Sequence, residues 1–130
     1  MRTLIEWKQY LWLSIGALAG ANLRYLLSRI ITRFTDAAFP YGTLVINVSG
    51  SLVLGFFLAW TTERVLANPL WRLLVAVGFC GSYTTFSGYA FETMASFQQG
   101  HWTMFAANIL ANNLLCLVAV LAGAALARAI

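Results

Sequence analysis

Charged residues along this chain are spaced so that long apolar stretches fall between them. Lys8 and Arg24 bracket 15 uncharged positions, Asp36 and Glu63 bracket 26, Arg72 and Glu92 bracket 19, and Glu92 and Arg128 bracket 35. Apolar sequence resumes after Arg24 with Tyr25-Leu26-Leu27. A helix crossing a bilayer takes about 20 residues, so the pattern predicts helices near 9–33, 42–62, 71–98 and 102–127. Turn formers punctuate them at Pro40-Tyr41-Gly42, Asn68-Pro69 and Gln98-Gln99-Gly100. The expected fold is all-α: an integral membrane protein with four transmembrane helices, forming one domain over 1–130.

The first segment has a second reading. Arg2 and Lys8, the apolar run from Leu11, and Ala17-Leu18-Ala19 or Ala19-Gly20-Ala21 resemble a secretory signal peptide with its cleavage site. Glu6 interrupts the positive region and the apolar pattern runs on past both sites, so the segment is expected to be retained as the first span.

Composition narrows the class further. Of 130 residues, 61% are hydrophobic and 9% charged, and mean hydropathy is +0.77. Soluble domains are about 25% charged and disordered chains are polar, so both classes are excluded. A chain of 14.3 kDa that forms four spans has no length left for a soluble catalytic domain. Net charge is +4, but the basic residues form no stripe with interleaved aromatics, and nucleic acid is not an expected partner. They read better as topology determinants. With a cytoplasmic N-terminus, Arg2, Lys8, Arg64, Arg72 and Arg128 lie inside, and Arg33, with Arg29 and Arg24 as borderline members, lies outside. So weak a bias is compatible with insertion in both orientations.

The residues carry little catalytic chemistry. No phosphate-binding loop, zinc-protease motif, nucleophile elbow or paired carboxylates occur, so no enzyme activity is expected. Cys80 and Cys116 lie within spans without CxxC spacing and read as small packing residues. His101 stands alone beside Trp102 in a loop. What does stand out is polarity inside the spans, where polar groups are costly. Thr43, Asn47 and Ser51 repeat at i, i+4, i+8 on one face of the second helix, and Asn108, Asn112 and Cys116 do so on the fourth, with Asn113 adjacent. Such stripes either hydrogen-bond helices together or line a wet path. Gly16, Gly20 and Arg24 repeat at the same spacing on the first helix. The glycines read as a packing seam, whereas Arg24 needs a partner, a vestibule or the membrane edge.

The third segment is the most unusual. Gly78-Phe79-Cys80-Gly81-Ser82-Tyr83-Thr84-Thr85-Phe86-Ser87-Gly88-Tyr89 occupies what should be mid-span. Such a stretch is a poor helix core. It is read either as a tight helix crossing or as a break near the helix centre, tolerated where freed carbonyls line a cavity or coordinate a cation.

Taken together, Gly16-Ala17-Leu18-Ala19-Gly20-Ala21 with Arg24-Tyr25, Pro40-Tyr41-Gly42-Thr43-Leu44 with Asn47 and Gly50, and Gly78-Phe79-Cys80-Gly81 through Thr84-Thr85-Phe86-Ser87 to Glu92 resemble the CrcB/Fluc fluoride channels, in order over nearly the whole chain. The resemblance implies a dual-topology antiparallel homodimer in lipid, multi-pass in the bacterial inner membrane, with two fluoride pores and a structural Na+ at the dimer centre. It implies passive export of cytoplasmic fluoride, and so fluoride resistance.

By the same resemblance, the backbone carbonyls of Gly81 and Thr84 would hold the sodium. Phe86 would be the first pore ring, with Ser87 beside it, and Asn47 an amide donor. Asn108, Asn112 and Cys116 would form a polar track. Arg24 would stand near the aqueous vestibule, and Glu92 matches an acidic position without an assigned role. Two departures are visible. The family commonly reads Thr-Phe-Ser-Thr-Phe where this chain has Thr85-Phe86-Ser87-Gly88-Tyr89, so Tyr89 stands at the second pore ring. Family members also often carry Tyr and Ser along the fourth-helix track. A second class, a small dual-topology drug/proton antiporter, needs a membrane-embedded carboxylate, and only Glu92 is available for that part.

Overall fold

A computed structural model describes residues 6–36, 38–64 and 68–130. Arg2, one of the charges counted above, lies outside the described residues. Helix α1 is Trp7–Phe34 and α2 is Tyr41–Glu63. A helical run over 69–83, here α3, joins Pro69–Trp71, Arg72–Cys80 and Gly81–Tyr83. It is followed by α4, Phe86–Gln98, and α5, Trp102–Ala129. Among the described residues there is no strand.

The helix limits follow local chemistry. Asn68 caps α3 by accepting from the Leu70 N–H at 3.1 Å, with Pro69 at the first helical position, where its missing N–H costs nothing. Gly100, with φ of 73°, makes the turn from α4 into α5. Within α3, Arg72–Cys80 is wound as a π-helix, and the Gly81 N–H reaches the Ala76 carbonyl, five residues back.

The third stretch is interrupted at Thr84 and Thr85, which are both extended. Thr85 then restarts the helix, its hydroxyl oxygen accepting from the Gly88 N–H at 2.9 Å. A threonine cap three residues ahead of a glycine is thus what ends one half-helix and begins the next.

Packing pairs α1 with α3 and α2 with α5, and α4 lies mainly on α5. Both pairs are glycine-mediated. A Cβ on Gly16 or Gly20 would strike the carbonyl of Leu74 or Phe79, and one on Gly78 would strike that of Leu13. Across the other pair, Gly55 faces the Val120 carbonyl and Gly123 the Leu52 carbonyl. Such backbone approach is how helices associate where lipid removes the hydrophobic drive between them.

Helices α2 and α5 are long and apolar enough to cross a membrane. Only 17% of the most apolar window of α5 is buried, and Leu110, Leu114, Leu117 and Leu121 all face outward. A core helix of a soluble protein would bury these side chains; here they face lipid or a further subunit. Several charges gather at one end, where Arg128 pairs with Glu63 at 2.7 Å and Arg72 donates to Thr62 at 2.8 Å. The opposite end carries Arg33, Asp36 and His101 and an edge-to-face cluster of Phe97, Trp102 and Phe105. Interfacial aromatics of this kind mark membrane boundaries.

Candidate functional site

Asn47 holds the break in α3–α4. Its Oδ1 accepts from the Thr85 N–H at 2.8 Å, and its Nδ2 donates to the Thr85 carbonyl at 3.1 Å. One side-chain amide thus replaces the helix ladder for a residue that lost it. The second hydrogen of Nδ2 goes to Asn112 Oδ1 at 3.0 Å. From there the chain continues inside the bundle. Asn112 Nδ2 donates to Asn108 Oδ1 at 2.7 Å, Asn108 Nδ2 to Thr93 Oγ1 at 2.8 Å, and Thr93 Oγ1 to the Tyr89 carbonyl at 2.7 Å. Asn108 has no exposed surface and Asn112 almost none. Asn47 of the α2 stripe and Asn112 and Asn108 of the α5 stripe are therefore members of one hydrogen-bonded relay, which ties α2, α5 and α4 together, whereas Thr43 bonds to Glu92 instead.

That relay also forms one wall of a cavity of about 270 Å³. Asn47, Thr84, Phe86, Tyr89, Asn112 and Cys116, all singled out in the sequence, line it. Ser51, Thr85, Asn113 and Leu117 complete the lining, which contains no charged side chain. The Phe86 ring is 77% exposed and lies 5.3 Å from that of Tyr89, tilted by 59°. Aromatic edges are electropositive, so the cavity offers ring edges and hydroxyls to whatever occupies it, while its amide hydrogens are held by protein acceptors. Ser87 is exposed beside Phe86, its hydroxyl 3.3 Å from that of Thr85. Thr93 was not a candidate in the sequence, and Asn113 stood there only as a neighbour of the α5 stripe, without a role. Thr93 lies four residues past Tyr89, a spacing that puts both on one face, but nothing local marks it as an acceptor for Asn108.

Glu92 sits apart, in a second cavity of about 360 Å³ that also includes Thr43, Asp36, Ser96 and His101. Its Oε1 accepts from the Thr43 hydroxyl at 2.8 Å, and its buried Oε2 has no partner among the described residues.

At the break, the Gly81 carbonyl receives no hydrogen bond from the described residues. The Thr84 carbonyl receives only a long one, 3.4 Å, from Arg24 Nη1. Under-used carbonyl oxygens at the end of a helix suit a hard cation, so the residues present fit a bound sodium ion. Arg24 reaches the same oxygen, and its guanidinium faces that carbonyl rather than lipid.

The fold and the cavity define a helical membrane protein whose polar groups line an uncharged recess. The chain belongs to the CrcB family: the family described as CrcB-like protein, Camphor Resistance (CrcB), matches residues 11–124. Similar proteins include the fluoride-specific ion channel FluC of Koribacter versatilis, 59% identical over 95% of this chain and 98% of the relative. The proteins of that name from a Sulfurihydrogenibium species and from Solibacter usitatus are each 43% identical, over 93% and 92% of this chain and 98% of each relative.

Proposed function

We propose that this chain is a fluoride-specific ion channel that lets cytoplasmic fluoride leave passively and so confers fluoride resistance. The observation that carries the reading is the uncharged cavity, where Phe86 and Tyr89 face the amides and hydroxyls of α2 and α5. A small, strongly hydrated anion must exchange its water for fixed donors, and a strong positive charge would hold it too tightly to conduct. Ring edges and hydroxyls meet that requirement. Hydrogen fluoride is a weak acid that crosses bilayers uncharged and releases its anion in a more alkaline cytoplasm, so a passive exit suffices.

In this reading two copies insert antiparallel in the bacterial inner membrane. The outward-facing apolar side chains support it, as do carbonyls at the break that one chain leaves under-used. Gly81 and Thr84 of each copy would hold a sodium ion at the centre, which supplies charge compensation for carbonyls freed at membrane depth. Asn47 holds the backbone N–H and carbonyl of Thr85, next to the Thr84 carbonyl, where the helix is interrupted.

Efflux from liposomes containing the purified chain, followed with a fluoride-selective electrode, tests the reading. Fluoride leaves down its own gradient with or without an imposed pH difference. Flux that requires a proton gradient and the Glu92 carboxylate overturns the channel in favour of an antiporter, and no flux in either condition overturns both.

A further inference from the structure

The direction of one hydrogen in the aromatic cavity is fixed by its neighbours. Asn113 Nδ2 lies 2.8 Å from the Ile109 carbonyl oxygen and 3.1 Å from the Tyr89 hydroxyl oxygen. A carbonyl oxygen only accepts. The Asn113 atom facing it is therefore the amide nitrogen, and the usual ambiguity between amide N and O is removed. Both hydrogens of that nitrogen are then assigned, one to Ile109 and one to Tyr89. The Tyr89 oxygen is the acceptor of this pair, so its own O–H hydrogen points away from Asn113. Among the described residues no acceptor meets it.

The other donors of the lining are mostly spent. Asn47 gives its two amide hydrogens to Thr85 and Asn112, and Asn112 directs its own to Asn108. The Thr84 hydroxyl donates to the Cys80 carbonyl at 2.8 Å. The Thr85 hydroxyl is paired with that of Ser87 at 3.3 Å, and among the described residues the Ser51 and Tyr89 hydroxyls have no acceptor. Of these, the phenol is the more acidic and hence the better donor, and a neighbour holds it in one orientation.

We infer that the Tyr89 O–H is an oriented donor to a small, strongly hydrated anion in this cavity, and that Asn113 is its positioning residue. The inference rests on the fluoride reading above. It assigns the hydroxyl that Tyr89 adds to the second ring a part in anion recognition, and it assigns Asn113 a part through Tyr89 alone.

The test is a double-mutant cycle on the full chain in liposomes, reading initial efflux against internal sodium fluoride. Tyr89→Phe removes one oxygen and keeps the ring beside Phe86. It is expected to raise the half-saturating fluoride concentration about tenfold, the size of a lost hydrogen bond to a charged partner. Asn113→Leu leaves the O–H present but unoriented, and raises it roughly threefold. In the Tyr89→Phe background Asn113→Leu adds nothing, because the group it positions is gone. A second readout is the ring-carbon NMR resonance of labelled Tyr89, which shifts with added sodium fluoride but not sodium chloride, and loses most of that response in Asn113→Leu. Wild-type half-saturation in Tyr89→Phe, additive effects in the cycle, or a fluoride response unchanged by Asn113→Leu overturns the inference while leaving the channel intact. A wild-type chain that passes no fluoride overturns the channel reading and this one with it.

Discussion

Asn47 and Phe86 line the same cavity but are held in opposite ways, and their substitutions separate structure from conduction. Every polar atom of the Asn47 amide is engaged, on Thr85 and on Asn112. In Asn47→Asp a carboxylate oxygen replaces Nδ2 and faces two acceptors, the Thr85 carbonyl and Asn112 Oδ1. Losing both bonds and leaving buried acceptors unmet costs about 2–4 kcal/mol, visible as a lower unfolding temperature in detergent, and fluoride efflux is abolished. Phe86 is 77% exposed and holds little together. Phe86→Ile should cost no more than about 0.5 kcal/mol, as exposed substitutions do, yet abolish efflux because the ring edge is gone. Wild-type efflux in both variants would remove these residues from the pathway. The same comparison explains what the sequence conveys about single residues. Asn47, Phe86 and Tyr89 stand out because a polar or aromatic side chain in mid-span is visible in one dimension. Asn113 is visible in the same way as a polar neighbour of the stripe, but its part is not, because that depends on Ile109 and Tyr89 standing on either side of one nitrogen.

Elements are joined here by backbone approach and by the amide relay, and α4 is started at the break by a threonine cap. Gly20 sits where a Cβ would meet the Phe79 carbonyl, so Gly20→Val pushes α1 off α3. Overpacking of this kind costs roughly 1–3 kcal/mol and should show as loss of protease resistance before loss of expression. Thr85→Ala is subtler. It removes the acceptor for the Gly88 N–H, worth about 1 kcal/mol, and lets α4 fray at the break, so efflux falls while the folded chain persists. Survival of full efflux in Thr85→Ala would mean that the start of α4 does not position Phe86. The helices and their ends were legible in the sequence because charges and turn formers bound them. The poor helix formers between Gly78 and Tyr89 were read as a break or a tight crossing, and the structure contains both. Gly78 packs on α1, and the chain is extended at Thr84 and Thr85. The π winding over Arg72–Cys80 had no such signal, since it is a property of hydrogen-bond register that apolar residues carry equally well in either form.

At the scale of the whole molecule, the proposed antiparallel pair requires that one sequence insert both ways, and the weak asymmetry of its basic residues makes that testable. Helix α5 runs 28 residues, about 42 Å, so its two ends lie on opposite sides of a bilayer. Gln98 and Gln99 are exposed at one end, and Ala129 and Ile130 are exposed at the other. Lysines at Gln98 and Gln99 should fix one orientation through the preference of basic loops for the cytoplasm, and lysines at Ala129 and Ile130 should fix the reverse. If function needs one copy of each orientation, either variant alone leaves cells fluoride-sensitive, and their co-expression restores resistance. A cysteine replacing His101, with Cys80 and Cys116 removed, reports orientation directly. An impermeant reagent labels it from both sides of the membrane in the otherwise unaltered chain and from one side in each lysine variant. Resistance in a variant labelled from one side only would exclude the antiparallel pair, because a single orientation would then build the whole pore.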